Sequence, residues 1–428
     1  MAYEGAKMRL HGSFYPPGDK SVSHRIVLIS LISTGASQVQ NFSGARDCMT
    51  SVRVVNELGG EIVVSPEKIR VTGLGRKLKT GVRLDCENSG TTIRLLMGIL
   101  SPNIGEFFLD GDDSLRNRPM ERVAAPLRLM GANVSCSESG KPPVRIIGSP
   151  LSGIEYQLPT PSAQLKSAIL LAGIQSSGDT VLIEKIPSRD HTEILLRSCG
   201  ANIEKTSLGW KVSESSLIMP PDYYVPGDIS SACFFICAAT IVPGSSVESR
   251  KVLLNPTRIG ALDVLKRMGA NVETCLDRHC LESGGEIYGD VKAGFSGRLK
   301  PFEVTREETP LLVDEVPILA LVATQAEGVS VFHDVSELRI KESDRVQAIM
   351  TELNSMGANL ETRGDSLLVH GPTKLLPRPR LESYGDHRIA MTLRIAGLLS
   401  NSFPEIIDES CIAISYPNFN DTLRKLMK

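Results

Sequence analysis

Met130-Gly131-Ala132-Asn133-Val134 is one of five near-copies of a phrase that organises the chain. The others are Leu58-Gly59-Gly60-Glu61-Ile62, Cys199-Gly200-Ala201-Asn202-Ile203, Met268-Gly269-Ala270-Asn271-Val272 and Met356-Gly357-Ala358-Asn359-Leu360, and successive glycines stand 72, 69, 69 and 88 residues apart. A helical pattern precedes each copy. In Ala261-Leu262-Asp263-Val264-Leu265-Lys266-Arg267, apolar residues at i, i+3 and i+4 make one buried face. The glycine then fits the C′ position, ending the helix with positive φ. The residues after it alternate as a strand, as in Asn202-Ile203-Glu204-Lys205. The period is longer than that of ordinary solenoid repeats, which points to small α/β modules. Strands in hairpin clusters argue against a purely parallel, doubly wound sheet. The expected architecture is α/β, two lobes of three modules each with helices packed inward. Five copies imply a diverged sixth, expected across Pro310 to Asp334.

With 428 residues, 41% of them hydrophobic, the chain exceeds one ordinary domain. A net charge of −2 gives no global basic field to recruit nucleic acid, so anion binding must come from local clusters. Nine scattered cysteines suit reduced thiols in the cytoplasm better than a disulfide framework. Cys275, His279 and Cys280 lie close together, but no second ligand pair accompanies them at zinc-site spacing, and no metal is expected. Met1 to Phe14 lacks the apolar core of a signal peptide. The apolar run Ala232 to Val242 is too short to span a bilayer, so no membrane partner is expected.

The chemistry is read from polar loops that open helices. Gly18-Asp19-Lys20-Ser21-Val22-Ser23-His24-Arg25 follows Pro16-Pro17 and runs into Ile26-Val27-Leu28-Ile29. The unpaired amides and positive dipole end of a helix start, with a Lys, an Arg and hydroxyls added, suit a phosphate or carboxylate. Asn88-Ser89-Gly90-Thr91-Thr92-Ile93-Arg94 repeats the theme, with simple capping as the alternative. Arg116 and Arg118 precede Pro119, which suits the first turn of the next helix; they offer bidentate anion recognition or else surface pairing with Asp112 and Asp113. Ser162 caps a helix running to about Leu171, with Lys166 one turn on, able to face an anion. Arg189 precedes His191, which is read as structural. Asp314, placed at a strand end among apolar residues, is either a base or a helix cap. Arg339 to Arg345 is the densest charge cluster: Ser343 or Asp344 starts a helix and leaves Lys341 and Glu342 on the loop before it. Asp386-His387-Arg388 is again a basic helix entry. With few aromatics between them, these loops suit small multiply anionic molecules and not nucleic acid.

On these residues the chain resembles the 5-enolpyruvylshikimate-3-phosphate synthase family of enolpyruvyl transferases. The matching stretches are Gly18 to Arg25, Asn88 to Arg94, Arg116 to Met120, Ser162-Ala163-Gln164, Arg339 to Arg345 and Asp386-His387-Arg388, in family order. The resemblance implies two lobes of three βαβαββ modules, an inside-out α/β barrel joined by two crossovers. It assigns residues 19–227 to one lobe and 1–18 with 228–428 to the other. It implies transfer of the enolpyruvyl group of phosphoenolpyruvate to the 5-hydroxyl of shikimate 3-phosphate, with release of phosphate, no metal or organic cofactor, and a monomer. Residue by residue, Lys20, Asn88, Gly90, Arg118, Gln164, Arg345 and Arg388 correspond to the phosphoenolpyruvate site. Lys20, Ser21, Arg25, Ser162, Ala163, Gln164, Arg189, Asp314 and Lys341 correspond to contacts with shikimate 3-phosphate. Asp314 and Glu342 resemble the acid–base pair, with Lys20 able to assist the departing phosphate. Two anionic substrates repel, so cations from both lobes are expected to converge and the lobes to close. The chain departs from the family at Ile414, where many members carry Lys, at Ala163 in place of Ser and at Leu95 in place of Pro; these bear on inhibitor fit more than on the reaction. The sister transferase acting on UDP-N-acetylglucosamine typically has a Cys in the loop matching Asp112–Arg118, and none lies there. A non-catalytic anion- or RNA-binding protein is disfavoured by the balanced charge and by Asp314 with Glu342.

Overall fold

Each of the five repeated glycines ends its helix with positive φ: Gly59 at 98°, Gly131 at 101°, Gly200 at 80°, Gly269 at 80° and Gly357 at 93°. The next strand and its hairpin partner follow, so the phrase marks the joint of a module. The computed structural model describes residues 8–65, 68–278, 280 and 285–427. His279 lies outside them, and among the described residues no cluster of metal-ligating side chains occurs. No described helix is long and apolar enough to cross a membrane.

The described residues form two compact units. One comprises 18–226 with 278, 280, 285 and 286; the other comprises 8–17, 227–277 and 287–427. Each has its own apolar core. In the first unit the complete module reads strand Val82–Asp85, helix Gly90–Leu100, strand Glu106–Asp110, helix Glu121–Leu129, then the antiparallel strands Asn133–Ser135 and Val144–Ile147. The first two strands pair in parallel, and the fourth inserts antiparallel between the second and third. The same order recurs in four other four-stranded sheets. Two of them recruit a distant first strand: His11–Phe14 pairs with Ser246–Leu253, and Asp222–Tyr224 with Ala36–Gln40.

The sixth module does not lie across Pro310 to Asp334. That stretch holds helix Val316–Ala323 and strand Gly328–Phe332, the first half of the module carrying Gly357. The reduced copy is C-terminal: strand Arg380–Glu382, helix His387–Leu399, strand Glu405–Ile407 and helix Phe419–Leu426. Its sheet has only two strands, so no helix-to-hairpin joint exists and no Gly phrase is written there.

The first helix of each module is the inner one. Helix Ile229–Ile241 is buried at every position, and Gly90–Leu100 at all but Thr91. Helices this apolar all round belong inside. Gly98 shows how closely they approach, since a Cβ there would sit 2.1 Å from the Ala168 carbonyl oxygen of helix Ala163–Gly173. Second helices such as Gly260–Arg267 bury only one face.

A buried polar seam locks neighbouring helix starts together. His24 Nδ1 meets Ser51 Oγ at 2.7 Å, Ser51 meets Thr92 Oγ1 at 2.7 Å, and Thr92 meets Ser89 Oγ at 2.7 Å. Burial, opposed by Asp47 and aided by Lys20 and Arg25, pushes the His24 pKa down to about 4.

Both the helix approach and the seam have measurable consequences. Gly269 has open space around it, so Gly269→Ala costs only its φ strain, about 1 kcal/mol. Gly98→Ala must push its helix off the neighbouring one and costs about 3 kcal/mol or more by chemical unfolding. His24 is neutral in the fold and titrates near 6.5 when unfolded. Its contribution is therefore complete above pH 6.5 and is lost as pH falls towards 4. Between pH 7 and 5 this removes about 2 kcal/mol of stability, and His24→Gln flattens that slope.

Candidate active site

The sequence-predicted side chains lie at helix starts and on the loops before them, at inner helices and at second-layer helices such as Arg345–Ser355 alike. In the first unit, helix Lys20–Ile29 is capped by Asp19, which accepts from the Val22 amide at 2.9 Å. Lys20 opens the helix, its Nζ 3.1 Å from Asp47 Oδ2, both partly exposed. Arg25, one turn in, is buried: Nη1 donates to the Ser21 carbonyl at 2.8 Å, Nε to Thr192 Oγ1 at 2.7 Å and Nη2 to Ser167 Oγ at 2.9 Å. Burial, only partly opposed by Glu193 and Asp19, lowers its pKa to about 10, so it stays charged at neutral pH.

The second inner helix, Gly90–Leu100, is capped by Ser89. Arg118 Nη2 donates to Asn88 Oδ1 at 2.9 Å, and Asn88 donates to Asp112 Oδ2 at 2.9 Å. A Cβ on Gly90 would lie 2.9 Å from Arg94 Nη1 and 3.3 Å from Arg118 Nη1, so the glycine lets both guanidinium groups approach the helix start. Arg94 also donates to Gln164 Oε1 at 2.6 Å, and Gln164 Nε2 to Thr91 Oγ1 at 3.0 Å. The third inner helix, Ala163–Gly173, capped by Ser162, thereby places Gln164 beside the Gly90 loop. Sequence reasoning places Arg94 inside its motif without a role; its signal is its position one turn after Gly90 on the same helical face.

Three expectations change here. Lys166 does not face an anion: its side chain is 0% exposed and lies between Glu184 and Glu193 at 3.0 and 2.9 Å. Arg116 is a surface residue bound to Asp110 at 2.7 Å, which separates it from Arg118. Pro119 lies outside the next helix, which starts at Glu121 because Met120 holds the N-cap position. His191 is structural as read, its Nδ1 2.7 Å from buried Glu286 Oε1.

In the second unit the group centres on Arg345. Its guanidinium is 2% exposed and touches three carboxylates: Asp386 Oδ2 at 2.8 Å from Nε, Asp314 Oδ1 at 3.3 Å from Nη1 and Glu342 Oε2 at 2.6 Å from Nη2. Burial opposes its charge, but Asp386, then Glu342 and Asp314, outweigh burial and hold it above the ordinary arginine value. Asp386, buried as well, is held below the usual carboxylate range, because Arg345 and then His387 outweigh its desolvation. It also caps helix His387–Leu399, accepting from the Arg388 amide at 2.8 Å. Arg388 Nη1 donates to the Asp314 carbonyl at 3.0 Å, with Nη2 3.7 Å from Asp314 Oδ2.

Asp314 sits between helices Thr309–Leu312 and Val316–Ala323 and not at a strand end. Glu315 takes the cap position that is the alternative reading of Asp314. Glu315 is buried, hydrogen-bonded by Ser230, and pushed up by burial against the pull of Arg388. Asp344 caps helix Arg345–Ser355 by accepting from Gln347, leaving Lys341 and Glu342 on the preceding loop as expected. Lys341 Nζ bonds to Glu337 Oε1 at 2.6 Å. Asp47 and Asp386 escape sequence reasoning as ion partners because each sits far along the chain from the cation it holds.

These two groups can bind anions at helix starts, and the second holds two partly exposed carboxylates on one guanidinium, an arrangement able to move protons. The sequence pattern of EPSP synthase (3-phosphoshikimate 1-carboxyvinyltransferase) matches residues 5–423. A 3-phosphoshikimate 1-carboxyvinyltransferase of Thermodesulfovibrio yellowstonii is 44% identical over 431 residues, covering 98% of this chain and 98% of the relative. Another, from Bacillus pumilus, is 41% identical with the same two coverages. The solved EPSP synthase from Acinetobacter baumannii aligns with a TM-score of 0.88 at 36% identity, covering 98% of this chain and 96% of its own. With the helix-start groups and the inward helices already in place, the chain belongs to the EPSP synthase (3-phosphoshikimate 1-carboxyvinyltransferase) family.

Proposed function

We propose that the chain transfers the enolpyruvyl group of phosphoenolpyruvate to the 5-hydroxyl of shikimate 3-phosphate and releases phosphate, a step of aromatic amino-acid biosynthesis. The observation that carries the reading is the pair Asp314 and Glu342, held 3.3 and 2.6 Å from one buried guanidinium. Addition needs a proton taken from the hydroxyl and a proton given to the methylene carbon; elimination then takes a proton back from the resulting methyl as the C–O bond to phosphate breaks. Asp314 takes the hydroxyl proton, Glu342 gives the proton to carbon and, ionised by that transfer, takes one back, while Lys20 assists the departing phosphate. These transfers use side-chain carboxyls, and charge stabilisation uses Lys and Arg.

Phosphoenolpyruvate is assigned to Lys20, Asn88, Gly90, Arg118, Gln164, Arg345 and Arg388, whose guanidinium groups suit bidentate phosphate and carboxylate binding. Shikimate 3-phosphate is assigned to Lys20, Ser21, Arg25, Ser162, Ala163, Gln164, Arg189, Asp314 and Lys341. Arg345 meets phosphoenolpyruvate only if the anion shares or displaces one of its three carboxylates, and Glu342, at 26% side-chain exposure, is the most accessible of them. We place the working form as a cytoplasmic monomer; its nine cysteines are all free thiols, as a reducing compartment keeps them.

A coupled phosphate-release assay with each acceptor in turn tests the assignment: turnover is expected with shikimate 3-phosphate and none with UDP-N-acetylglucosamine. Asp314→Asn and Glu342→Gln should each lower kcat by about 10²–10⁴-fold with the melting temperature little changed; activity within about threefold of the parent would remove both from the chemistry. Gly90→Ala should raise KM for phosphoenolpyruvate while leaving KM for shikimate 3-phosphate near its parent value, since the new methyl displaces Arg94 and Arg118.

A further inference from the structure

Lys166 is a wholly buried ammonium with no assigned role in the reaction. Besides Glu184 and Glu193, its Nζ reaches the Ser188 carbonyl at 3.1 Å. Burial would strip its charge, but Glu193 and then Glu184 outweigh this and hold it above the ordinary lysine value. Glu193 is likewise fully buried, its carboxyl pushed up by desolvation against the pull of Lys166. A buried charge left alone is strongly destabilising, so neither partner is dispensable by itself.

Two threads leave this cluster. Glu184 Oε1 accepts from the Ser188 amide at 2.8 Å and from the Ser188 hydroxyl. With Lys166 on its carbonyl, Ser188 is gripped at three atoms, immediately before Arg189. The second thread runs through Ser167 and Thr192, the chain neighbours of Lys166 and Glu193. Their hydroxyls lie 2.6 Å apart, and both accept from Arg25. Glu193 is also the strongest attraction acting on the Arg25 guanidinium.

We propose that Lys166 is a positioning residue for the phosphorylated acceptor: as counter-ion to Glu193 and Glu184, it keeps Arg25 from being drawn onto Glu193 and fixes the loop that presents Arg189. The role rests on the assignment of Arg25 and Arg189 to that acceptor. Removing the ammonium leaves Glu193 to draw on Arg25, and the acceptor phosphate loses that partner.

Steady-state kinetics with each substrate varied separates the possibilities. Lys166→Met should raise KM for shikimate 3-phosphate at least about tenfold, the equivalent of one lost charge-assisted contact, and leave KM for phosphoenolpyruvate within about twofold. Adding Glu193→Gln removes the unpaired carboxylate, so the double variant should recover most of the lost acceptor affinity. If the double variant binds the acceptor as poorly as the single one, Lys166 touches the acceptor itself and the proposal is wrong. Equal changes in both KM values and in melting temperature would mean a structural role only, and would also overturn it. Should Lys166→Met fail to fold, Glu184→Gln reads the other thread. Its acceptor effect should vanish in an Arg189→Lys background, and full additivity would refute the coupling. If Arg25→Lys and Arg189→Lys leave the acceptor KM unchanged, the acceptor assignment falls, and the positioning role falls with it.

Discussion

A helix that begins inside a protein must find partners for its first amides, because water is not there to supply them. Six inner helices in the described residues face that constraint, three in each unit. Five are met by a short side chain at the cap: Asp19, Ser89, Ser162, Asp228 and Asp386 each accept from an amide of the first turn. The sixth, Val316–Ala323, has Glu315 at the cap without such a bond, and its carboxyl turns to Ser230 instead. The capping requirement explains why the loops are short, polar and glycine-bearing, and why they look like anion sites in sequence. A cap that satisfies one amide leaves the others and the dipole available, so a loop that solves the capping problem is also able to hold an anion.

Duplication supplied the frame and not the chemistry. Gly18-Asp19-Lys20-Ser21 and Gly227-Asp228-Ile229-Ser230 open equivalent helices with the same cap. At the second, Ile229 stands where Lys20 does and is fully buried, and Ser230 is bound to Glu315 and to Arg258 Nη2 at 2.9 Å. That start has become interior. In the second unit the clustered charged groups are instead Asp314, just ahead of the Glu315 cap, Arg388 on the last inner helix, and Arg345 on a second-layer helix. Its site is correspondingly rich in acids, whereas the group around Gly90 is rich in guanidinium. One repeated frame thus carries two different charge patterns.

Features written in neighbouring residues are legible from sequence. The Gly phrase is, because a C′ glycine depends only on its own φ and the helix before it. The helix starts near Lys20 and Arg345 are, because caps act within three residues; the one expected at Ile93 begins a turn earlier, at Gly90. Partners that fold in from elsewhere are not. Lys166 reads as a cation one turn after a cap, able to face an anion, until Glu184 and Glu193, 18 and 27 residues on, are seen to enclose it. Asp386 reads only as part of a basic helix entry until Arg345 arrives from 41 residues away. The misplaced sixth module has the same origin: the reduced copy lacks the hairpin that carries the recognisable phrase, so nothing local marks it as a repeat.

Arg345 shows why one residue type is required at the centre of the second group. Three carboxylates use three different nitrogens of the guanidinium, Nε, Nη1 and Nη2. Because the fork is planar and rigid, fixing Asp386 on Nε, itself 0% exposed, fixes where the other two nitrogens point. Asp314 and Glu342, at 16% and 26% side-chain exposure, are then held on fixed vectors while still partly open to solvent. A lysine offers one rotatable ammonium and sets no such angle. Three acids also keep the charge on Arg345 despite its burial, and the guanidinium in turn tempers the repulsion that would otherwise drive Asp314 and Glu342 apart. The buried pair Arg345–Asp386 is therefore the anchor, and the spacing of the Asp314 and Glu342 carboxyls follows from it.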